Sequence, residues 1–89
     1  MVVEKRLVVK NKLGLHARPA ALFVQLANKF DCEIVVKKGS QEVNGKSIMG
    51  ILMLAAGKGS RIFIRAKGLD AKSAIEELER LLLSNLPEE

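Results

Sequence analysis

A chain of 89 residues with 48% hydrophobic content has apolar material for one compact core and too little length for two, so a single domain over residues 1–89 is expected. Its longest apolar stretch, residues 51–56, falls far short of the roughly 20 residues needed to cross a bilayer, and the start Met1-Val2-Val3-Glu4 has no basic region leading into an apolar one, so a soluble, unexported protein is expected. Net charge is +5 but uneven: residues 70–89 hold six acids against Lys72 and Arg80, a balance of −4, which leaves +9 on residues 1–69, a bipolar surface suited to steering an acidic partner onto one side.

Residues 3–10 are rich in β-branched side chains and predict a strand, ended by the turn-forming Asn11-Lys12-Leu13-Gly14. A helix over 17–29 follows, with Phe23, Leu26, Ala27 and Phe30 at helical spacing and Pro19 in the first turn, where a missing N–H costs nothing. Asp31 ends that pattern. Strands are predicted over 32–37 and 40–43, joined through Lys38-Gly39 as a hairpin. After the Asn44-Gly45 turn signal, Ser47 is a good N-cap for a short helix over 48–54, which Gly57 and Gly59 close. Residues 60–67 alternate Ile62, Ile64 and Ala66 with Arg61, Phe63, Arg65 and Lys67, the period of a strand covered on one face. Asp70 reads as the N-cap of a last helix with Ala71, Ala74, Ile75, Leu78, Leu81 and Leu82 on one stripe, stopped by Ser84 and Pro87. The order βαββαβα with short connections predicts an α+β fold, an open-faced β-sandwich: one four-stranded antiparallel sheet with three helices on one face. The single cysteine, Cys32, excludes an internal disulfide, fits a reducing cytoplasm and is expected as a small buried hydrophobe.

The candidate for chemistry is the only histidine, His16, in Gly14-Leu15-His16-Ala17-Arg18-Pro19 at the predicted helix start. Between Lys5 and Phe30 the chain carries six basic residues and no acid. An imidazole is substantially neutral near pH 7, so a ring nitrogen is available to attack a phosphoryl group without a separate base. Arg18 offers a planar fork to phosphate oxygens, and the N–H groups of Ala17 and Arg18 are among the unpaired donors of the first turn. Across proteins a lone histidine is more often structural than reactive. Here the glycine turn, the adjacent arginine and the lack of a nearby acid favour the reactive reading. One histidine and one distant cysteine do not make a metal site, and no cofactor is expected.

On these residues the chain resembles the HPr family, the histidine-containing phosphocarriers of the bacterial phosphoenolpyruvate-dependent sugar phosphotransferase system. Gly14-Leu15-His16-Ala17-Arg18-Pro19 is similar to the family's active-site signature, and Lys46-Ser47-Ile48-Met49-Gly50 to its second signature, that of the Gram-positive type. The resemblance implies a stoichiometric carrier rather than an autonomous enzyme. His16 would accept a phosphoryl group on Nδ1 from phosphorylated enzyme I and donate it to IIA domains of sugar permeases, with Arg18 clamping the phosphate. It implies a cytoplasmic protein, a monomer, with no direct nucleic-acid partner.

As an N-cap Ser47 has a sufficient structural reason to be there, worth about 1 kcal/mol relative to alanine. The resemblance adds phosphorylation by HPr kinase/phosphorylase, with the product acting as corepressor beside a catabolite control regulator. Ile48, Met49 and Leu52 lie on a helix that is apolar all round, and a sheet covers only one side of it, so these three are expected as a partner-contact patch beside His16; a helix sunk deep in the core is the alternative. Leu13, where relatives often carry a small polar residue, bears on phosphate coordination, and Leu52, where methionine is common, on partner affinity. Three rival readings are weighed, one of them a carrier for a nitrogen-related branch. A single-stranded RNA-binding module fits the basic charge but not the lack of Tyr and Trp. A catabolite-repression paralogue without carrier function resembles this chain but lacks the histidine.

Overall fold

The computed structural model describes residues 1–10 and 14–83. The elements run β1 (Val2–Val8), α1 (Ala17–Ala27), β2 (Glu33–Lys38), β3 (Gln41–Asn44), α2 (Ile48–Met53), β4 (Arg61–Lys67) and α3 (Ala71–Leu83). The strands form one antiparallel sheet in the order β1-β4-β2-β3, with three helices on one face, the expected architecture. None of the helices described is long and apolar enough to cross a membrane.

Period-2 alternation decides what each strand buries. Ile62, Ile64 and Ala66 of β4, Ile34 and Val36 of β2 and Leu7 of β1 point at the helices and are buried. Phe23 and Ala27 of α1, Ile51 of α2 and the Ala71, Ala74, Ile75, Leu78, Leu82 stripe of α3 close over them in one continuous core, which also takes in Cys32. Leu81 is only half-buried, and Ser84 and Pro87 lie outside the described residues. At the edge, Lys5 takes a helix-side position but stays exposed, its Nζ 3.5 Å from Glu79 of α3.

The observed strand ends differ from the expected ones by a residue or two. Val9 and Lys10 leave β1, yet Val9 still exchanges backbone bonds with Ser60 (2.9 Å) and Gly59 (2.8 Å), and the Lys10 N–H donates to Leu82. Helix α1 stops two residues early, because the Asn28 amide donates back to the Val24 carbonyl at 2.9 Å and across to the Lys46 carbonyl at 3.2 Å. The β2–β3 hairpin turns at Gly39-Ser40, with Gly39 at φ +62°.

Asp70 directly precedes α3 as expected of its N-cap residue, its carbonyl accepting the Ala74 N–H at 3.0 Å, while its carboxylate reaches over to the α1–β2 connection and accepts the N–H groups of Asp31 (2.8 Å) and Cys32 (2.9 Å). That loop would otherwise leave two donors unsatisfied next to the core, and a charged acceptor 39 positions away in sequence from Asp31 supplies both. The Asp31 and Cys32 donors hold the Asp70 carboxyl below its ordinary pKa, whereas burial, reinforced by the neighbouring carboxylate, pushes the Cys32 thiol up to about 11. The expectation that is corrected concerns α2, whose end is not made by Gly57 and Gly59. Leu54 is its C-cap, and Ala55 follows in the left-handed region at φ +51°, a place usually taken by glycine. Lys38 Nζ donates to the Leu54 and Ala55 carbonyls at 3.2 and 3.1 Å, and Gln41 Nε2 to that of Met53 at 3.1 Å. A cation on the terminal carbonyls offsets both the unpaired acceptors and the negative end of the helix.

The segment just after α2 is also the dock for the chain leading into α1. The Leu15 N–H donates to the Ala56 carbonyl at 2.7 Å, and the Leu15 side chain is 1% exposed. Gly14 makes that approach possible: it sits at φ +66°, and a Cβ there would lie 2.6 Å from both the Ala56 oxygen and the Gly57 Cα.

Two outcomes follow from these contacts. Gly14→Ala combines left-handed strain with a backbone collision, and a loss of about 2–4 kcal/mol is expected in denaturant melts. Protonating Asp70 removes a charged acceptor that the folded state prefers. Its contribution is therefore complete above the ordinary carboxylate pKa and disappears as pH falls through the lower folded value. Asp70→Ala should lower the melting temperature at pH 7 and flatten the acid limb of the stability–pH curve; an unaltered acid limb would show that the carboxylate does not hold the loop.

Candidate functional site

Leu15, locked into the core, delivers His16 to the surface at the N-cap position of α1. The backbone of His16 is extended there, at φ −97° and ψ −171°, and its carbonyl accepts the Ala20 N–H at 2.7 Å, the first bond of the helix. The imidazole makes no capping hydrogen bond and is exposed. Ala17 and Arg18 follow as the first two helical residues, also exposed, while Pro19 and Ala20 turn inward and are buried. Pro19 supplies no donor, so the outward-facing N–H groups of this turn are those of Ala17 and Arg18.

Electrostatics at this terminus favour an anion. The first turn of α1 holds no acidic residue, and the guanidinium of Arg18 forms no ion pair among the described residues. The helix adds the partial positive charge of its N-terminus. His16, Ala17 and Arg18 stand together at the exposed start of α1, which the Leu15 N–H ties to the exit of α2. Leu13 lies outside the described residues. Among those residues no group of three His, Cys, Asp or Glu side chains could hold a metal ion.

Ser47 caps the neighbouring helix. Its Oγ accepts the Gly50 N–H at 3.1 Å and its carbonyl accepts the Ile51 N–H at 3.0 Å, and its side of the molecule is tied to the α1–β2 connection by Lys46 Nζ, which donates to the Phe30 carbonyl at 2.6 Å. Gly50 lets α2 sit close to β3, where a Cβ would lie 3.2 Å from the Val43 side chain. Only Ile51 of α2 is fully buried. Ile48 and Leu52 are 39% exposed and Met49 64%, so these apolar side chains do face solvent rather than the core. Met53, at 64%, belongs to the same exposed set, although the sequence pattern singled out only the other three.

What the sequence did not disclose is the support beneath the site. Helices α1 and α2 pack on each other, and the Leu15–Ala56 bond ties the His16 turn to the exit of α2. That exit is held in turn by Lys38 and Gln41 from the hairpin. A lysine in a hairpin carries no local signal that its ammonium reaches carbonyls 16 and 17 positions ahead.

The comparisons with known proteins agree with this geometry. Residues 3–84 match the family model described as PTS HPr component phosphorylation site. The chain is 43% identical over 88 residues to the phosphocarrier protein HPr of Treponema pallidum, covering 99% of this chain and all of that one. It is 53% identical over 77 residues to the HPr-like protein Crh of Halalkalibacterium halodurans, covering 86% of this chain and 92% of that one. The crystal structure of a phosphocarrier protein HPr from Bacillus anthracis superimposes with a TM-score of 0.89 at 52% identity, over 91% of this chain and 96% of that one. With an exposed histidine at an anion-favouring helix start on this βαββαβα scaffold, the chain belongs to the HPr family of phosphocarrier proteins of the phosphotransferase system.

Proposed function

We propose that His16 is the phosphoryl acceptor of this carrier. The exposed imidazole, unbonded at the start of α1 with Arg18 two residues on, is the observation that supports it most. In the forward step the lone pair of Nδ1 attacks the phosphorus of a phosphohistidine on enzyme I. The donor's P–N bond breaks, and its electron pair stays on the donor imidazole. The same transfer in reverse sense passes the phosphoryl group to a IIA domain of a sugar permease. Such a transfer needs alignment and charge compensation more than covalent help. The Ala17 and Arg18 N–H groups and the Arg18 guanidinium supply the compensation, and a site with no lid lets two partners approach in turn. The reading places a single-domain monomer in the bacterial cytoplasm, acting as a carrier consumed and regenerated stoichiometrically.

Ile48, Met49 and Leu52 form the contact patch for these partners in this reading, an adaptable apolar surface next to the anion site. Ser47 is a regulatory phosphorylation site for an HPr kinase/phosphorylase, with the phosphorylated form binding a catabolite control regulator. A phosphate at the N-terminus of α2 is compatible with the helix, yet it repels an acidic docking surface.

Incubation with phosphoenolpyruvate and enzyme I should place one acid-labile, alkali-stable phosphate on the protein, and His16→Ala should abolish it; a variant that still accepts phosphate would move the acceptor elsewhere. Ser47→Asp keeps a competent N-cap, so its circular-dichroism spectrum should stay native while phosphorylation by enzyme I slows by about tenfold or more. Unchanged kinetics would remove the docking role from this helix start.

A further inference from the structure

The sheet face turned away from the helices holds a second basic site. Arg6 of β1 and Lys37 of β2 flank Phe63 of β4 in register, and Val8 stands opposite Arg61. With Gly39 at the hairpin turn, these side chains line an open depression of about 460 Å³. The Lys37 ammonium lies 6.0 Å from the centre of the Phe63 ring. Three acids share this face of the sheet. Glu4, two residues from Arg6, is paired in register with Arg65, Glu33 is paired with Lys67 toward the far end, and Glu42 stands opposite Lys37. Neither Arg6, Lys37 nor Arg61 forms an ion pair among the described residues.

Three cations from three neighbouring strands, gathered round an aromatic floor, select a particular chemistry. Guanidinium forks and an ammonium match phosphate oxygens, and their mutual repulsion is relieved by a multiply charged anion. Phe63 and Val8 offer apolar surface to the uncharged part of the same ligand. The volume lies within the range of small-molecule sites, roughly 300–1,000 Å³. A nucleic-acid strand would use several stacking platforms in succession, whereas Phe63 is the one aromatic side chain on this face.

We propose that this depression, formed by Arg6, Lys37, Arg61, Phe63 and Val8, binds a small phosphorylated molecule bearing a flat or apolar portion, as in a nucleotide or a sugar phosphate. It lies on the opposite side of the sheet from the helices that bear His16 and Ser47, and it does not depend on the role of either.

Amide chemical shifts of the full chain provide the test, with ADP, ribose 5-phosphate and pyrophosphate as probes. ADP or ribose 5-phosphate should perturb Arg6, Val8, Lys37, Gly39, Arg61 and Phe63 and bind more tightly than pyrophosphate. Tighter binding of ADP than of ribose 5-phosphate assigns the site to nucleotides, and equal binding assigns it to sugar phosphates. The double variant Arg6→Gln/Arg61→Gln, both changes being at exposed positions, should weaken binding by about tenfold or more with spectral dispersion intact. Arg65→Gln, outside the depression, should bind as the parent does. The proposal is overturned by no perturbation up to about 10 mM of any probe, by perturbations confined to the start of α1, by unchanged affinity in the double variant, or by pyrophosphate binding as tightly as the others. Tighter binding of an oligouridylate spread over the whole sheet would likewise overturn it and make this face a nucleic-acid surface.

Discussion

The backbone hydrogen bond from Leu15 to Ala56 is the contact on which the candidate site rests. A histidine at the end of a glycine turn would otherwise swing with its loop, and the anion-favouring helix start behind it would have no fixed relation to the rest of the molecule. Burying the Leu15 side chain on one side of that bond and bringing Gly14 against the Ala56–Gly57 backbone on the other removes both freedoms. The imidazole is then exposed on a fixed mount, as the proposed carrier role requires.

That mount is held from three directions. The hairpin lysine Lys38 secures the end of α2, and with it the left-handed Ala55 that steers the chain into Ala56. Asn28 and Lys46 bind the end of α1 to the start of α2, through bonds to the Lys46 and Phe30 carbonyls. Asp70, just after β4, gathers the α1–β2 connection at the end of the sheet where β2 begins. In each case a polar or charged side chain satisfies backbone groups that a small domain of 89 residues has no spare layer of structure to cover. The positive surplus of residues 1–69 remains free at the surface, where it appears both at the start of α1 and on the open face of the sheet.

The same economy explains the exposed side of α2. A six-residue helix with Ile48, Met49, Leu52 and Met53 outward and Ile51 inward buries little of its own apolar surface. Its stability comes from the Ser47 cap at one end and the Lys38 and Gln41 donors at the other. Holding a short helix by its ends leaves its outer face exposed to solvent.

Local pattern alone determined much of this protein. Alternation over residues 61–67 gave the covered and open faces of β4, the apolar stripe gave α3, Ser47 gave the start of α2, and the Gly14–Pro19 run gave an exposed histidine at the start of α1. These are readable because strand period, helix period and N-cap chemistry are properties of neighbouring residues. The tertiary structure decided the rest: that the Asp70 carboxylate serves a distant loop, that Ala55 and not a glycine turns the chain after α2, that Lys38 holds that turn, and that Arg6, Lys37 and Arg61 converge around Phe63. Each joins residues far apart in the chain, and only the pairing order β1-β4-β2-β3 and the packing of helices across it bring them within reach.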